Sequence, residues 1–293
     1  MELQQMRYVA AIAEEQNFTR AAERCFVVQS ALSHQIKALE RELGVKLFAR
    51  SSRRVELTAA GEAFLVQARA SLDAADRAVS AAAAANGEIR GTLTVGVIPT
   101  VTTIDIPAAL GTFHRTHPAV RIKLHSGGSD EFIAAIKAGS MDVAVLGLPD
   151  STPPTGVNTH VLARDRLAAV VSAEHPLAKR HEFQLADLTN EAFVDFPAGT
   201  PGRIPSDLAF QAVGVSREVT FEAMSTELIL NLIRQGLVIA LLSPTLIPAD
   251  SRDLRVIPVE SGPTRVEYLA WSNFNPTPAA QAFLKSLPLP LAP

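Results

Sequence analysis

In Gln29-Ser30-Ala31-Leu32-Ser33-His34-Gln35-Ile36-Lys37-Ala38-Leu39-Glu40-Arg41-Glu42-Leu43-Gly44, the residues from Ser30 to Leu43 read as one helix with two unlike faces. Leu32, Ile36, Leu39 and Leu43 fall in a single apolar stripe. At about 100° per residue, Ser30, His34, Lys37 and Arg41 lie opposite it, with Ser33 on the edge. Ser30 is placed to cap the helix and Gly44 to end it in the left-handed conformation. The outer face carries short hydroxyls, an imidazole and long cations, which can donate to and accept from base edges and phosphates.

The flanks extend that reading. Upstream, Leu3, Met6, Val9, Ala10 and Ala13 recur at helical spacing, Asn17-Phe18-Thr19 breaks the pattern, and Thr19 is placed to cap a short helix from Arg20 to Cys25. Downstream, Val45–Phe48 and Val55–Leu57 read as paired strands joined by Arg50-Ser51-Ser52-Arg53-Arg54. Two helices, a tight turn and a basic hairpin make a winged helix-turn-helix over residues 1–58. A small helical domain that binds protein is the alternative, but exposed cations add little to stability, so an Arg-rich tip has little to do there. Against a duplex it reaches phosphates or the minor groove. Charge agrees: the net −3 of the 293 residues hides nine Lys/Arg against seven Asp/Glu in residues 1–60, and Lys46 to Arg54 carries four cations and no acid.

Residues 59–87 read as a linker helix, capped by Thr58 and stopped at Asn86-Gly87. Its 27 helical residues, Ala59 to Ala85, extend about 40 Å. Gly61, Leu65, Ala68, Leu72, Ala75, Val79 and Ala82 keep a 4-3 spacing, the pattern of a helix that pairs along another. Leu65, Leu72 and Val79 are its larger residues and the expected dimerisation contacts. A long helix lying on its own domain is the other reading.

From Gly91 onward strands alternate with helices. Strands are expected at Leu93–Ile98, Val120–Leu124, Asp142–Leu146, Leu167–Ser172, Phe193–Phe196, Val219–Ala223, Val238–Leu242 and Val266–Trp271. Helices are expected after Pro99 through Phe113, after Gly127-Gly128, and at Asp207–Val213 and Thr226–Gln235. The whole is an α/β multidomain chain whose residues 88–293 form two lobes, with ligands expected beyond the carboxyl ends of strands.

Other functions fit less well. The sequence has no HExxH, GxSxG or P-loop and no Cys/His cluster, so no catalytic residues, metal site or cofactor are expected. His114 and His117 precede Pro118 without a nearby third ligand and read as structural. The lone Cys25 reads as a small hydrophobe. No run is long enough to span a membrane, and Met1–Gln5 lacks the features of a secretory signal, so cytoplasmic residence is expected.

Asn17-Phe18-Thr19-Arg20-Ala21-Ala22-Glu23, Gln29 through Phe48, Arg50, Arg54 and Leu57-Thr58-Ala59-Ala60-Gly61 together closely resemble the N-terminal signature of LysR-type transcriptional regulators. His175-Pro176-Leu177-Ala178 and Leu232 through Pro244 resemble two motifs of that family's effector-binding domain, with Val238 where the family has a second glycine. The resemblance implies a homo-oligomer, dimer or tetramer, with a C-terminal domain similar to periplasmic solute-binding proteins. Lobe 1 would then span about 91–162 and 266–293, and lobe 2 about 163–265. It places Gln29, Ser30, Ser33, His34 and Lys37 on a recognition helix and Arg50, Arg53 and Arg54 on the wing. His34 stands where many relatives carry arginine, which gives shorter reach and a pH-dependent charge. Double-stranded DNA, a second copy, a small-molecule effector and RNA polymerase are the expected partners. Control by protein partners, with a ligand-free C-terminal domain, is the alternative.

For the effector, Thr100 and Ser129 stand where relatives present hydroxyls to a ligand, although both could simply cap helices. Arg203 could reach the cleft from lobe 2 or lie on the surface. Helix N-termini favour an anion, so a small carboxylate is expected. Relatives that bind aromatic carboxylates carry an arginine where this chain has Gly147, which argues against their ligand.

Overall fold

The computed structural model describes residues 1–50 and 55–289. The chain divides into two units, Met1–Gly91 and Thr92–Pro293. In the first, α1 (Leu3–Glu15) buries Met6, Tyr8, Val9, Ala11 and Ile12, while Leu3 is exposed. Helix α2 (Phe18–Arg24) is capped by Asn17 rather than Thr19. The Asn17 carboxamide oxygen accepts from the N–H groups of Thr19 and Arg20 at 2.8 and 3.1 Å. The helix therefore starts one residue before Thr19, and Phe18 enters the core edge-on to Phe48.

Helix α3 (Gln29–Leu43) begins two residues earlier than a Ser30 cap would place it, with Val28 at the N-cap and no side-chain cap bond. Leu32, Ile36 and Leu39 are fully buried, whereas Leu43 is exposed, so the apolar stripe ends a turn early. Gly44 ends the helix at φ 70, as its position predicts. Strands β1 (Phe48–Arg50) and β2 (Val55–Leu57) pair antiparallel. Val45 to Leu47 is not strand, because the Leu47 backbone bonds outside any ladder: its carbonyl accepts from Thr58 N–H at 3.0 Å and its N–H donates to Glu40 at 3.0 Å.

Helix α4 (Ala59–Ala85) is capped by the Thr58 hydroxyl, which accepts from Gly61 N–H at 3.0 Å. Its N-terminal half lies along α1, with Leu65 in the unit's apolar core. Gly61 packs instead on the segment before β1: a Cβ there would stand 2.0 Å from the Leu47 carbonyl oxygen. Gly61, Leu65 and Ala68 are thus occupied within their own unit, and the expected pairing seam loses its first turns. Leu72 and Ala75 are half-buried and Val79 is exposed.

The second unit opens with β3 (Gly91–Val97), α5 (Ile106–Thr116), β4 (Val120–Ser126), α6 (Ser129–Lys137), β5 (Val143–Pro149) and β6 (Asn158–Arg166). Next come β7 (Ala168–Ser172), β8 (Ala192–Asp195), α7 (Ile204–Ala212), β9 (Glu218–Glu222), α8 (Thr226–Arg234) and β10 (Ala240–Leu242). It closes with β11 (Leu254–Ile257), β12 (Thr264–Trp271) and α9 (Pro278–Ser286). One sheet has the order β4-β3-β5-β12-β6, a second β10-β7-β11, and β8 pairs with β9 in parallel. Strands β5 and β7 are buried on both faces, which explains their unbroken apolar sequence.

Three elements were not expected from sequence. β6 is a mostly exposed strand of mixed polarity, β11 is four residues long, and α9 was marked only by the Thr277-Pro278 start that caps it. Helix α5 starts not after Pro99 but at Ile106, where Asp105 accepts from Ala108 N–H at 2.9 Å.

Candidate functional site

The outer face of α3 is open. Gln29, Ser30, His34, Lys37 and Arg41 are exposed and Ser33 is half-buried. The helix is held to the following strand by a buried carboxylate that the sequence reading passed over. Glu40, 4% exposed, accepts from Leu47 N–H at 3.0 Å, Phe48 N–H at 3.4 Å and Lys46 Nζ at 2.8 Å. Burial pushes its carboxyl up, but the Lys46 ammonium and the two N–H groups outweigh that and hold it below the usual glutamate range. Its signal was Glu40 on the inner face beside Leu39. Arg50 ends β1, and Arg53 and Arg54 lie outside the described residues.

Within the second unit, a cleft is walled by Ile98, Pro99 and Thr100 after β3, Gly127 to Ser129 at the start of α6, Gly147 on β5, and Arg265 on β12. Phe196, Thr200 to Gly202 and Met224 close it, leaving about 360 Å³ between the walls, solvent at the mouth included. Most of these groups are apolar or backbone, and Arg265 is the charged side chain among them.

Thr100 and Ser129 both line this cleft, but neither caps a helix. Ser129 is 1% exposed and joins α6 to β5: its hydroxyl donates to the Gly147 carbonyl at 3.1 Å and accepts from Gly147 N–H at 3.0 Å. Thr100 precedes α5 by several residues and is held by Arg265, whose guanidinium donates to the Thr100 hydroxyl and, at 3.1 Å, to its carbonyl.

Arg265 is the centre of a buried charge network. Its Nη2 lies 3.5 Å from Glu267 and 3.6 Å from Asp165. Glu267 accepts from the Thr102 hydroxyl at 3.2 Å and Thr103 N–H at 3.4 Å, and Asp165 accepts from the Ser243 hydroxyl at 3.1 Å. Burial lowers the affinity of Arg265 for its proton, and the two carboxylates offset part of that. Its Nε is buried without an acceptor among the described residues.

Two protein-family models match the chain: "LysR substrate binding domain" over residues 86–288 and "Bacterial regulatory helix-turn-helix protein, lysR family" over 3–62. The chain belongs to the LysR family of transcriptional regulators. It is 30% identical to the HTH-type transcriptional regulator YnfL of Escherichia coli K12, over 97% of this chain and 96% of that one. It is 32% identical to the dual regulator OxyR of the same organism, over 86% and 82%. Among solved structures, full-length CbnR in complex with its target DNA matches with a TM-score of 0.71 at 26% identity, covering 98% of both chains. A variant of full-length OxyR from Pseudomonas aeruginosa also matches with a TM-score of 0.71, at 27% identity over 98% of this chain and 94% of that one. The chain is therefore a DNA-binding transcriptional regulator with an effector-binding domain, a winged helix-turn-helix joined to an α/β C-terminal part.

In this LysR-family chain the expected cation of the cleft is misplaced. Arg203 is not among the lining residues: its guanidinium is drawn to Asp207, four residues on in α7, and to Glu222 at the end of β9. Arg265 stands there instead. A Cβ built on Gly147 would meet Ile98 Cδ1 at 2.9 Å and Arg265 Cδ and Nη1 at 3.5 and 3.6 Å, so Ile98 and the Arg265 side chain from the adjacent strand fill the space beside that glycine. The available signal was Arg265-Val266-Glu267, two charges on one face of an otherwise apolar strand.

Proposed function

We propose that Gln29, Ser30, Ser33, His34 and Lys37 meet base edges and phosphates of an operator, with Arg50, Arg53 and Arg54 against the backbone or minor groove. The support is the open polar face of α3 on a helix whose other face is buried through Leu32, Ile36 and Leu39. Two copies pair through the C-terminal half of α4, where Leu72 and Val79 retain apolar surface. The working division is 1–58 for DNA binding, 59–87 for the linker and 88–293 for effector binding. The first sheet's strands extend to Arg166 and resume at Thr264, so lobe 1 is drawn to include them. The protein acts in the cytoplasm, at promoters where RNA polymerase is met, and not as an enzyme. No helix among the described residues is long and apolar enough to cross a membrane.

The effector is a small molecule with an apolar body and one carboxylate. The observation that carries this is Arg265: a buried guanidinium with an unpartnered Nε, opposite the uncapped start of α6 at Gly128-Ser129. Glu267 and Asp165 together outweigh its single charge, so a ligand carboxylate must displace one of them, and Asp165, held from outside by Ser243 and less buried than Glu267, is the one to give way. A response through a reactive thiol is not favoured. Cys25, the chain's one cysteine, lies in the first unit, and burial raises its pKa away from a reactive thiolate. Thermal shift of the full chain against small carboxylates and their amides tests the reading: stabilisation by the acids and not the amides supports it, and the reverse order refutes the anion site.

A further inference from the structure

The turn that leads into α3 carries two bare apolar side chains. Phe26 is 96% exposed and Val28 69% exposed, while Val27 between them packs on the unit's core. Phe26 sits at φ 56, in the left-handed region that a bulky residue enters only with strain. Val28 occupies the N-cap of α3, where Ser, Thr, Asp or Asn would satisfy an orphan N–H, and it makes no cap bond. Both residues therefore lower the stability of the unit that holds them and leave apolar surface in water.

Their position gives that surface a partner. They directly precede Gln29 and Ser30, also exposed, at the N-terminal end of the helix proposed to read DNA. A recognition helix meets base edges with its N-terminal residues. The major-groove edge of a base pair offers one apolar group, the 5-methyl of thymine. We infer that Phe26 and Val28 select a thymine in the operator by packing on its methyl group. This rests on α3 being the recognition helix, and the experiment separates the two claims.

The full-length protein is used to select duplexes from a random pool, and the enriched set is expected to hold a thymine at a fixed position. Replacing that thymine by deoxyuridine removes the methyl and keeps every hydrogen-bonding group. Wild-type affinity should then fall about fourfold, the value of one buried methyl. Val28→Ser, which supplies a cap and should fold at least as well, and Phe26→Asn should each narrow the difference, and the double variant should bind the two duplexes equally. Equal wild-type binding to both duplexes overturns the inference, as does a thymine preference that survives in the double variant. Loss of self-association in Phe26→Asn with thymine preference intact would assign the pair to a protein interface instead. If no sequence is enriched, the recognition-helix reading fails as well.

Discussion

The Ser129 hydroxyl bonds both the N–H and the carbonyl of Gly147, so removing it leaves two buried backbone groups unpaired. Ser129→Ala should therefore destabilise the second unit by about 1–3 kcal/mol, seen as a lower melting temperature without any ligand. An unchanged melting temperature would return Ser129 to the role of a free ligand contact. At Glu40 the sign follows from its lowered carboxyl: the stability it contributes is present above the ordinary glutamate pKa of about 4.3 and is lost as pH falls through the folded value. The stability difference between wild type and Glu40→Gln should thus shrink as pH drops from neutral to below about 4 in denaturant titrations. A constant difference would mean that Glu40 acts only through its shape. At this scale the sequence was half legible. Residue types on α3 announced the outer face, but Asn17 beat Thr19 to the cap, and the oxygens around Arg265 come from residues as distant as Thr100 and Asp165.

Helix α4 shows what an element's pattern can and cannot say. A 4-3 repeat runs unbroken through it, and its ends fell where Thr58 and Asn86 predicted. Yet the same period suits packing on α1 and packing on a second copy, so spacing alone could not divide the seam. Burial divides it: Leu65 is 8% exposed, Val79 59%. Leu65→Ala should cost about 2–5 kcal/mol of stability and leave the oligomeric state unchanged. Leu72→Glu should do the opposite, dissociating the pair while the fold survives, because the charge is buried only between copies. Light scattering with thermal unfolding on both variants checks this. Dissociation by Leu65→Ala, or an intact oligomer with Leu72→Glu, would shift the interface elsewhere. In the second unit the doubly buried strands were legible as apolar runs, whereas β6, exposed and mixed in polarity, was not.

For the whole molecule, the proposed division of labour is that α3 reads sequence while the basic hairpin holds the backbone of the same duplex. The two contributions separate by salt. Each neutralised phosphate adds about 0.9 to the slope of log affinity against log salt, while base contacts set the ratio between operator and random duplex. The most direct measurement is fluorescence anisotropy of the full-length protein on a selected duplex and on a scrambled one across salt concentrations. Arg53→Ala with Arg54→Ala should weaken both complexes and reduce the slope by up to about 2, leaving their ratio near the wild-type value. His34→Ala or Ser33→Ala should lower the ratio and leave the slope nearly unchanged. Wild-type binding that does not distinguish the two duplexes at any salt concentration would rule out sequence reading by α3.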